Sequence, residues 1–372
     1  MSWALFWEWL IKSLVLIFTL LIGFGYLTYY ERRLLARIQV RVGPNRAGPQ
    51  GLMQWMADAV KLIFKEELTP AKVYKLVFFF APIVTMAPSI VIAAVIPWGT
   101  SFSLGRRVIP LYLADINVGV VYLMSIASVA VYGIVLAGWS SNNKYAMLGG
   151  LRSTAQMISY ELTLGLMFVT AVLLGNSMSL VDIVDAQRGM WIGVIQPVGF
   201  LLFFIATLAE VNRHPFDMPE AEQELTAGYH TEYSGMKFAL FFMAEYQKMI
   251  VVSMIGATLF LGGYRELWFL KDTFLSVDRA WFLGPIYLFI KVFVLLGIMI
   301  WIRASWPRIR YDRLMNLGWK ILIPLSLAVI FVTALGILLN NYWIIPILSV
   351  LAGLFAVTVI YRDLRRKAYE RV

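Results

Sequence analysis

The sequence predicts an all-α polytopic membrane protein, with about nine transmembrane helices and an amphipathic helix on the cytoplasmic side. Composition is the first reason: of 372 residues, 60% are hydrophobic and only 15% are charged, where a water-soluble domain carries about 25%. The second is that uncharged apolar runs of membrane-crossing length recur along the whole chain. The third is that Lys and Arg are dense in alternate loops and sparse in the others.

Hydrocarbon about 30 Å thick takes about 20 residues of helix to cross. Nine stretches qualify, at 10–30, 76–97, 118–139, 156–174, 191–209, 238–262, 282–302, 321–339 and 342–361. Each must be helical, because backbone amides in lipid have to be satisfied within the segment. The first has no small-residue cleavage site and is expected to stay as an anchor. Only the Asn340-Asn341 turn separates the last two. Pro82, Pro88, Pro197 and Pro285 fall inside spans, where proline frees a carbonyl and bends a helix.

Placing the loop after the first span in the cytoplasm gathers Arg32, Arg33, Arg37, Arg41, Arg46, Lys61, Lys65, Lys72 and Lys75 there. The tail Arg362, Arg365, Arg366, Lys367 and Arg371 falls on the same side. The positive-inside rule then puts the N-terminus outside and the C-terminus inside. The net charge of +10 follows from this topology and from anionic lipid, so nucleic-acid binding is not required.

Cysteine is absent, which excludes thiolate-held iron–sulfur clusters, thiol catalysis and disulfides. The two histidines, His214 and His230, share one polar stretch, which argues against a haem held between spans. No metal or covalently bound cofactor is expected, and electrons have to come from elsewhere.

Three cytoplasmic stretches, 31–75, 210–237 and 303–320, are longer than connectors need to be. In the first, the Pro- and Gly-rich turn 43–51 precedes an amphipathic helix over 52–67. That helix carries Leu52, Trp55, Met56, Ala59, Val60 and Ile63 on one face and Gln54, Asp58, Lys61 and Lys65 on the other, the pattern of a membrane-surface helix. A plain surface anchor explains it equally well. The second stretch holds Glu210, Asp217, Glu220, Glu222, Glu224 and Glu232 around Arg213, with enough apolar residues to fold back on the bundle. The third reads as a basic loop around Asp312. Within spans, Glu161, Glu210, Glu245, Lys248 and Lys291 each cost about 2.5–3.5 kcal/mol at a helix centre and so face protein or water. The first four lie in the cytoplasmic half, where they can share one cavity; a static Glu245–Lys248 salt bridge is the alternative.

The stretches YERRLLARIQVRVGPNRAGP, GLMQWMADAVKLIFKE, GWSSNNKYAMLGGLRSTAQMISYE, HPFDMPEAEQELTAGYHTEYSGMKF, FFMAEYQKM and IRASWPRIRYDRLM resemble the H-subunit (subunit 1) family of proton-pumping NADH:quinone oxidoreductase, respiratory complex I. The resemblance runs from about residue 26 to 320. It implies a subunit without redox centres of its own, lining the quinone chamber at the junction with the peripheral arm and coupling quinone reduction to proton translocation. Quinone is then the substrate, and iron–sulfur clusters and flavin belong to partner subunits. The implied partners are the peripheral-arm iron–sulfur and quinone-site subunits, small membrane-arm subunits, antiporter-like subunits and lipid.

By this resemblance the chamber and its opening involve Arg32, Arg41, Asp58, Lys61, Arg213, Asp217, Phe242 and Tyr246. The proton-linked acids are Glu161, Glu210, Glu220, Glu222, Glu224 and Glu245. Spans two to six resemble half of an antiporter-like unit, in which broken helices suit proton passage. One position departs from the pattern: some members carry a carboxylate in the third span where this chain has Ser128. A hydroxyl relays a hydrogen bond but stores no charge at neutral pH. Competing readings are a free-standing ion-coupled transporter, a passive anchor, and the homologous subunit of a membrane-bound hydrogenase-type complex.

Overall fold

The computed structural model describes residues 3–104, 107–218, 226–268 and 276–369. The first helix, α1 (Trp3–Ile38), has 36 residues, about 54 Å at 1.5 Å per residue. That is well beyond the bilayer core, because the ERRLLARI continuation after the apolar run holds good helix formers and no breaker. Glu31 therefore sits on a rigid extension of a span. The amphipathic helix α2 (Gln54–Ile63) is shorter than the 52–67 pattern. Its Trp55 packs on Tyr26 of α1 with ring centroids 5.8 Å apart, while Met56, Val60 and Ile63 stay exposed.

Helix α3 (Lys75–Ala93) contains Pro82 and Pro88. It packs against α4 (Gly119–Ser140) so closely that a Cβ at Gly133 would lie 2.6 Å from the Thr85 backbone nitrogen. Between them lies an antiparallel hairpin, β1 (Ser101–Leu104) and β2 (Arg107–Pro110), with Ser101 opposite Pro110 and Phe102 opposite Ile109. The apolar-run pattern gave no sign of it.

Helix α5 (Lys144–Gly175) begins well before the expected 156, because Asn143 caps it: its Oδ1 accepts from the Tyr145 N–H at 3.0 Å. Short α6 (Leu180–Ala186) follows. The expected span 191–209 is broken into α7 (Ile192–Ile195) and α8 (Pro197–Glu210). Pro197 opens α8 and disfavours helical backbone at the residue before it, and Gln196 is non-helical at φ −127°, ψ 70°. Pro197 thus starts a helix where an internal kink was expected.

The remaining helices are α9 (Gly235–Phe260), α10 (Leu283–Ser305), α11 (Tyr311–Leu317), α12 (Ile323–Leu338) and α13 (Ile344–Tyr369). A π-helical turn, Gly318–Leu322, joins α11 to α12. The third polar stretch is therefore largely helical. Seven helices of the described residues are long and apolar enough to cross a membrane, and Pro197–Glu210 and Ile344–Thr358 are shorter apolar helices. Large apolar side chains such as Phe18, Phe289, Phe331 and Phe355 are exposed along them, as lipid-facing surfaces require. This is an all-α, multi-pass membrane protein.

Two ends of the bundle differ. At the hairpin end, Lys291 of α10 donates to the carbonyls of Leu261, Gly263 and Arg265 at 2.6, 2.8 and 2.6 Å. Arg265 pairs with Asp185 and Asp278. A cation thereby caps the carbonyl end of α9 and ties it to α10. The other end carries the polar loops and most of the acids.

Candidate functional site

Two crossed ion pairs join α9 to the end of α8 and the loop behind it. Lys248 of α9 donates to Glu210 Oε1 at 2.6 Å and to the Glu210 carbonyl at 2.9 Å. Three residues earlier on the same helix, Glu245 Oε1 lies 2.5 Å from Arg213 Nε. Residues at i and i+3 share a helix face, so each segment contributes one acid and one base. Lys248 therefore bonds Glu210, and the alternative Glu245–Lys248 bridge is not formed.

Arg213 is buried and central to a second group. Its NH1 lies 3.5 Å from Glu31 Oε1, its guanidinium carbon stands 4.2 Å from the Tyr246 ring centroid, and Arg303 of α10 also bonds Glu31. Glu31 is buried as well, though it sits on the extension of α1. Sequence reasoning missed Glu31 and Arg303 because it weighed ionisable groups inside spans, and these two lie just past span ends. Phe242 packs on Tyr246 at 4.8 Å between centroids. Asp217 is buried and lies 3.2 Å from His214 Nε2.

Glu161, Glu210 and Lys248 line one cavity of about 50 Å³, together with Thr85, Ser89 and Thr207 and an apolar wall that includes Leu123 and Phe203. A cavity of this size has room for about one or two waters, and Glu161, Glu210 and Lys248 are its charged partners for them. Glu245 is not part of its lining, so three of the four ionisable groups expected to share a cavity do so. The Ser128 hydroxyl contacts the Glu161 carboxylate and lies 3.0 Å from the Met124 carbonyl, the two acceptors sharing its one proton. The hydroxyl in the place of a carboxylate thus contacts the acid that follows it.

A second, apolar hollow of about 500 Å³ runs between α1, α9 and α10, from Val15 past Gly23 to Tyr26 and Tyr30, with Ile250, Met254 and Phe293 opposite. Tyr30, which precedes Glu31 in the chain, stacks on Phe293 at 4.4 Å, and Tyr26 meets Trp55 of α2. The lining of the hollow thus reaches Tyr30, the residue before Glu31, and Tyr26, which touches the surface helix.

The other expected chamber residues lie farther out. Arg32 is exposed and pairs with Asp58 of α2 at 2.7 Å. Arg41 is exposed and bonds Gln39, and Lys61 is exposed on α2. Glu220, Glu222 and Glu224 lie outside the described residues.

The stem after them is firmly docked. A Cβ at Gly149 of α5 would come within 2.5 Å of Gly228 Cα, so only two glycines permit this approach. Asn143 donates to Glu232 at 2.6 Å. Tyr233 stacks on Phe78 at 4.0 Å, and burial pushes its phenol up to about 12. His230 is enclosed by Tyr229, Phe238 and Phe241, and burial lowers it to about 3. It packs as a ring that is uncharged near neutral pH.

A family model described as NADH dehydrogenase matches residues 11–334. Of the two NADH-quinone oxidoreductase H subunits of Geobacter metallireducens, the one numbered 2 is 48% identical over 337 residues, covering 87% of this chain and 94% of the relative. The H subunit numbered 1 of Geobacter sulfurreducens is 48% identical over 342 residues, covering 89% and 95%. The H subunit of Thermomicrobium roseum is 48% identical over 343 residues, covering 88% and 97%. With a family model that matches residues 11–334 and relatives 48% identical over 87–89% of its length, the chain belongs to the H-subunit family of NADH-quinone oxidoreductase, as a multi-pass membrane subunit of that enzyme complex.

Proposed function

We propose that this subunit lines the quinone chamber where the membrane arm meets the peripheral arm, and couples quinone reduction to proton translocation. The observation that carries this reading is the apolar hollow of about 500 Å³ whose lining reaches Tyr30, the residue before Glu31 of the Glu31–Arg213–Glu245 group. A quinone has a long apolar tail and a small polar head, and ligand sites are mostly apolar with a few placed polar groups. Asp217, Phe242 and Tyr246 flank the charged end, while Arg32, Asp58, Lys61 and Arg41 lie toward the opening beside α2.

Reduction of a quinone to a quinol takes two electrons and two protons. The electrons come from an iron–sulfur cluster in a neighbouring peripheral subunit, and the protons or compensating charge are drawn from loop acids, including Asp217 and Glu220, Glu222 and Glu224. Arg213 pairs with Glu245, so any shift of its guanidinium changes what Glu245 feels. Glu245 and Lys248 share a face of α9, and the perturbation reaches Glu210 and then Glu161 through the common cavity. Ser128 carries the hydrogen-bond path onward from Glu161 without storing charge. The polar loops face the cytoplasm of a bacterial inner membrane, with the N-terminus outside, the C-terminus inside and nine crossings. Peripheral-arm, small membrane-arm and antiporter-like subunits, together with lipid, are its partners.

The test is Glu161→Gln in the assembled complex, with quinone reduction and proton translocation measured together. The reading expects both to fall, translocation the more steeply. Wild-type values for both would refute it.

A further inference from the structure

On α5, Ser153, Gln156 and Tyr160 follow the i, i+3, i+7 spacing of a single helix face, and all three are buried. Each grips a polar stretch at the loop end of the bundle. Asn212, held in the left-handed region at φ 57°, donates to Ser153 Oγ at 3.1 Å. The Tyr160 ring packs on Phe216 at 5.9 Å, and its hydroxyl donates to the Leu314 carbonyl of α11 at 3.0 Å. Gln156 lies between them. Its Nε2 donates both to the Ala209 carbonyl at 2.8 Å and to the Phe216 carbonyl at 2.7 Å.

Those two carbonyls bracket the segment that matters most. Ala209 precedes Glu210, which lines the acid cavity; Phe216 precedes Asp217; and Arg213 lies between. One buried amide therefore bonds the backbone on both sides of the Arg213 turn. Rotating the amide by 180° would set its oxygen against two carbonyl oxygens, so only one orientation is stable. The Gln156 Oε1 atom has no hydrogen-bond partner among the described residues.

We infer that Gln156 is a positioning residue: it locks the Arg213 loop and the Glu210 end of α8 into one unit, so that a displacement at the quinone side reaches the acid cavity. The inference rests on the chamber reading above. It assigns Gln156 no contact with quinone or with a transferred proton.

Gln156→Met keeps the length and bulk of the side chain and removes both donors. The assembled complex is assayed for NADH oxidation with a hydrophilic acceptor that bypasses quinone, for quinone reduction, and for protons moved per electron. The expected result is normal bypass activity, retained quinone turnover and a proton-to-electron ratio lower by about twofold or more. A wild-type ratio overturns the inference, whether assembly is normal or reduced, since a residue that only packs would lower the yield and leave the ratio alone. Should Gln156→Met fail to assemble, Gln156→Glu, which donates one bond at most, is measured in the same way with the same two outcomes. Arg213→Gln, run in parallel, separates the two levels. Unchanged quinone reduction in that variant counts against the chamber itself, whereas slowed reduction there with a wild-type ratio in Gln156→Met counts against Gln156 alone.

Discussion

At the scale of single residues, most charges of the site have a partner of opposite sign: Glu210 with Lys248, Glu245 with Arg213, and Glu31 with Arg213 and Arg303. Removing one member of such a pair costs about 3–5 kcal/mol, because its partner is left uncompensated in a low dielectric. His230 shows the opposite solution, a titratable ring kept neutral. Burial lowers it from 6.5 to about 3, so between those values the unfolded chain binds a proton that the folded chain refuses. Its contribution to stability is complete above about pH 6.5 and is lost as pH falls toward 3. His230→Phe should remove that part of the acid sensitivity, measured as the rate of thermal inactivation of the solubilised complex between pH 7 and 5 beside wild type. An identical pH dependence in the variant would show that the ring is not held neutral. Several residue roles were legible in the sequence: an acid inside an apolar span has to face protein, and Glu161 and Glu210 do. The choice of partner was not legible, because the Glu210–Lys248 and Arg213–Glu245 pairings depend on how α8 and α9 lie together.

Among elements, the long helices follow directly from apolar runs, and α2 follows from its two-faced pattern. The break before α8 was signalled by Pro197 but read as a bend, since sequence shows that proline interrupts a span without showing whether the chain restarts as a new helix. The hairpin 101–110 had no signal, because its short SFSL and RVIP strands interrupt no clear period. Lys291 gives the element scale its own test. Its ammonium satisfies three carbonyls at the end of α9, and each buried carbonyl left unpaired costs about 1–3 kcal/mol. Lys291→Met should therefore lower the yield of assembled complex several-fold while turnover per assembled complex stays near wild type, read from native-gel densitometry and activity together. Normal yield would mean that the lock at the hairpin end bears little of the fold's stability.

For the whole molecule, the bundle places an apolar hollow and a small acid-lined cavity on different sides of α9, which carries Glu245, Tyr246 and Lys248. On the chamber reading proposed above, a subunit without cysteine takes part in quinone chemistry by position and charge alone. The most direct test is photolabelling of the intact complex with a light-activated quinone analogue, followed by peptide mapping of this subunit. The account predicts adducts within residues 24–31 or 242–246 that excess quinone suppresses. Adducts confined to the hairpin end around residues 98–112, or none in this subunit, would contradict it.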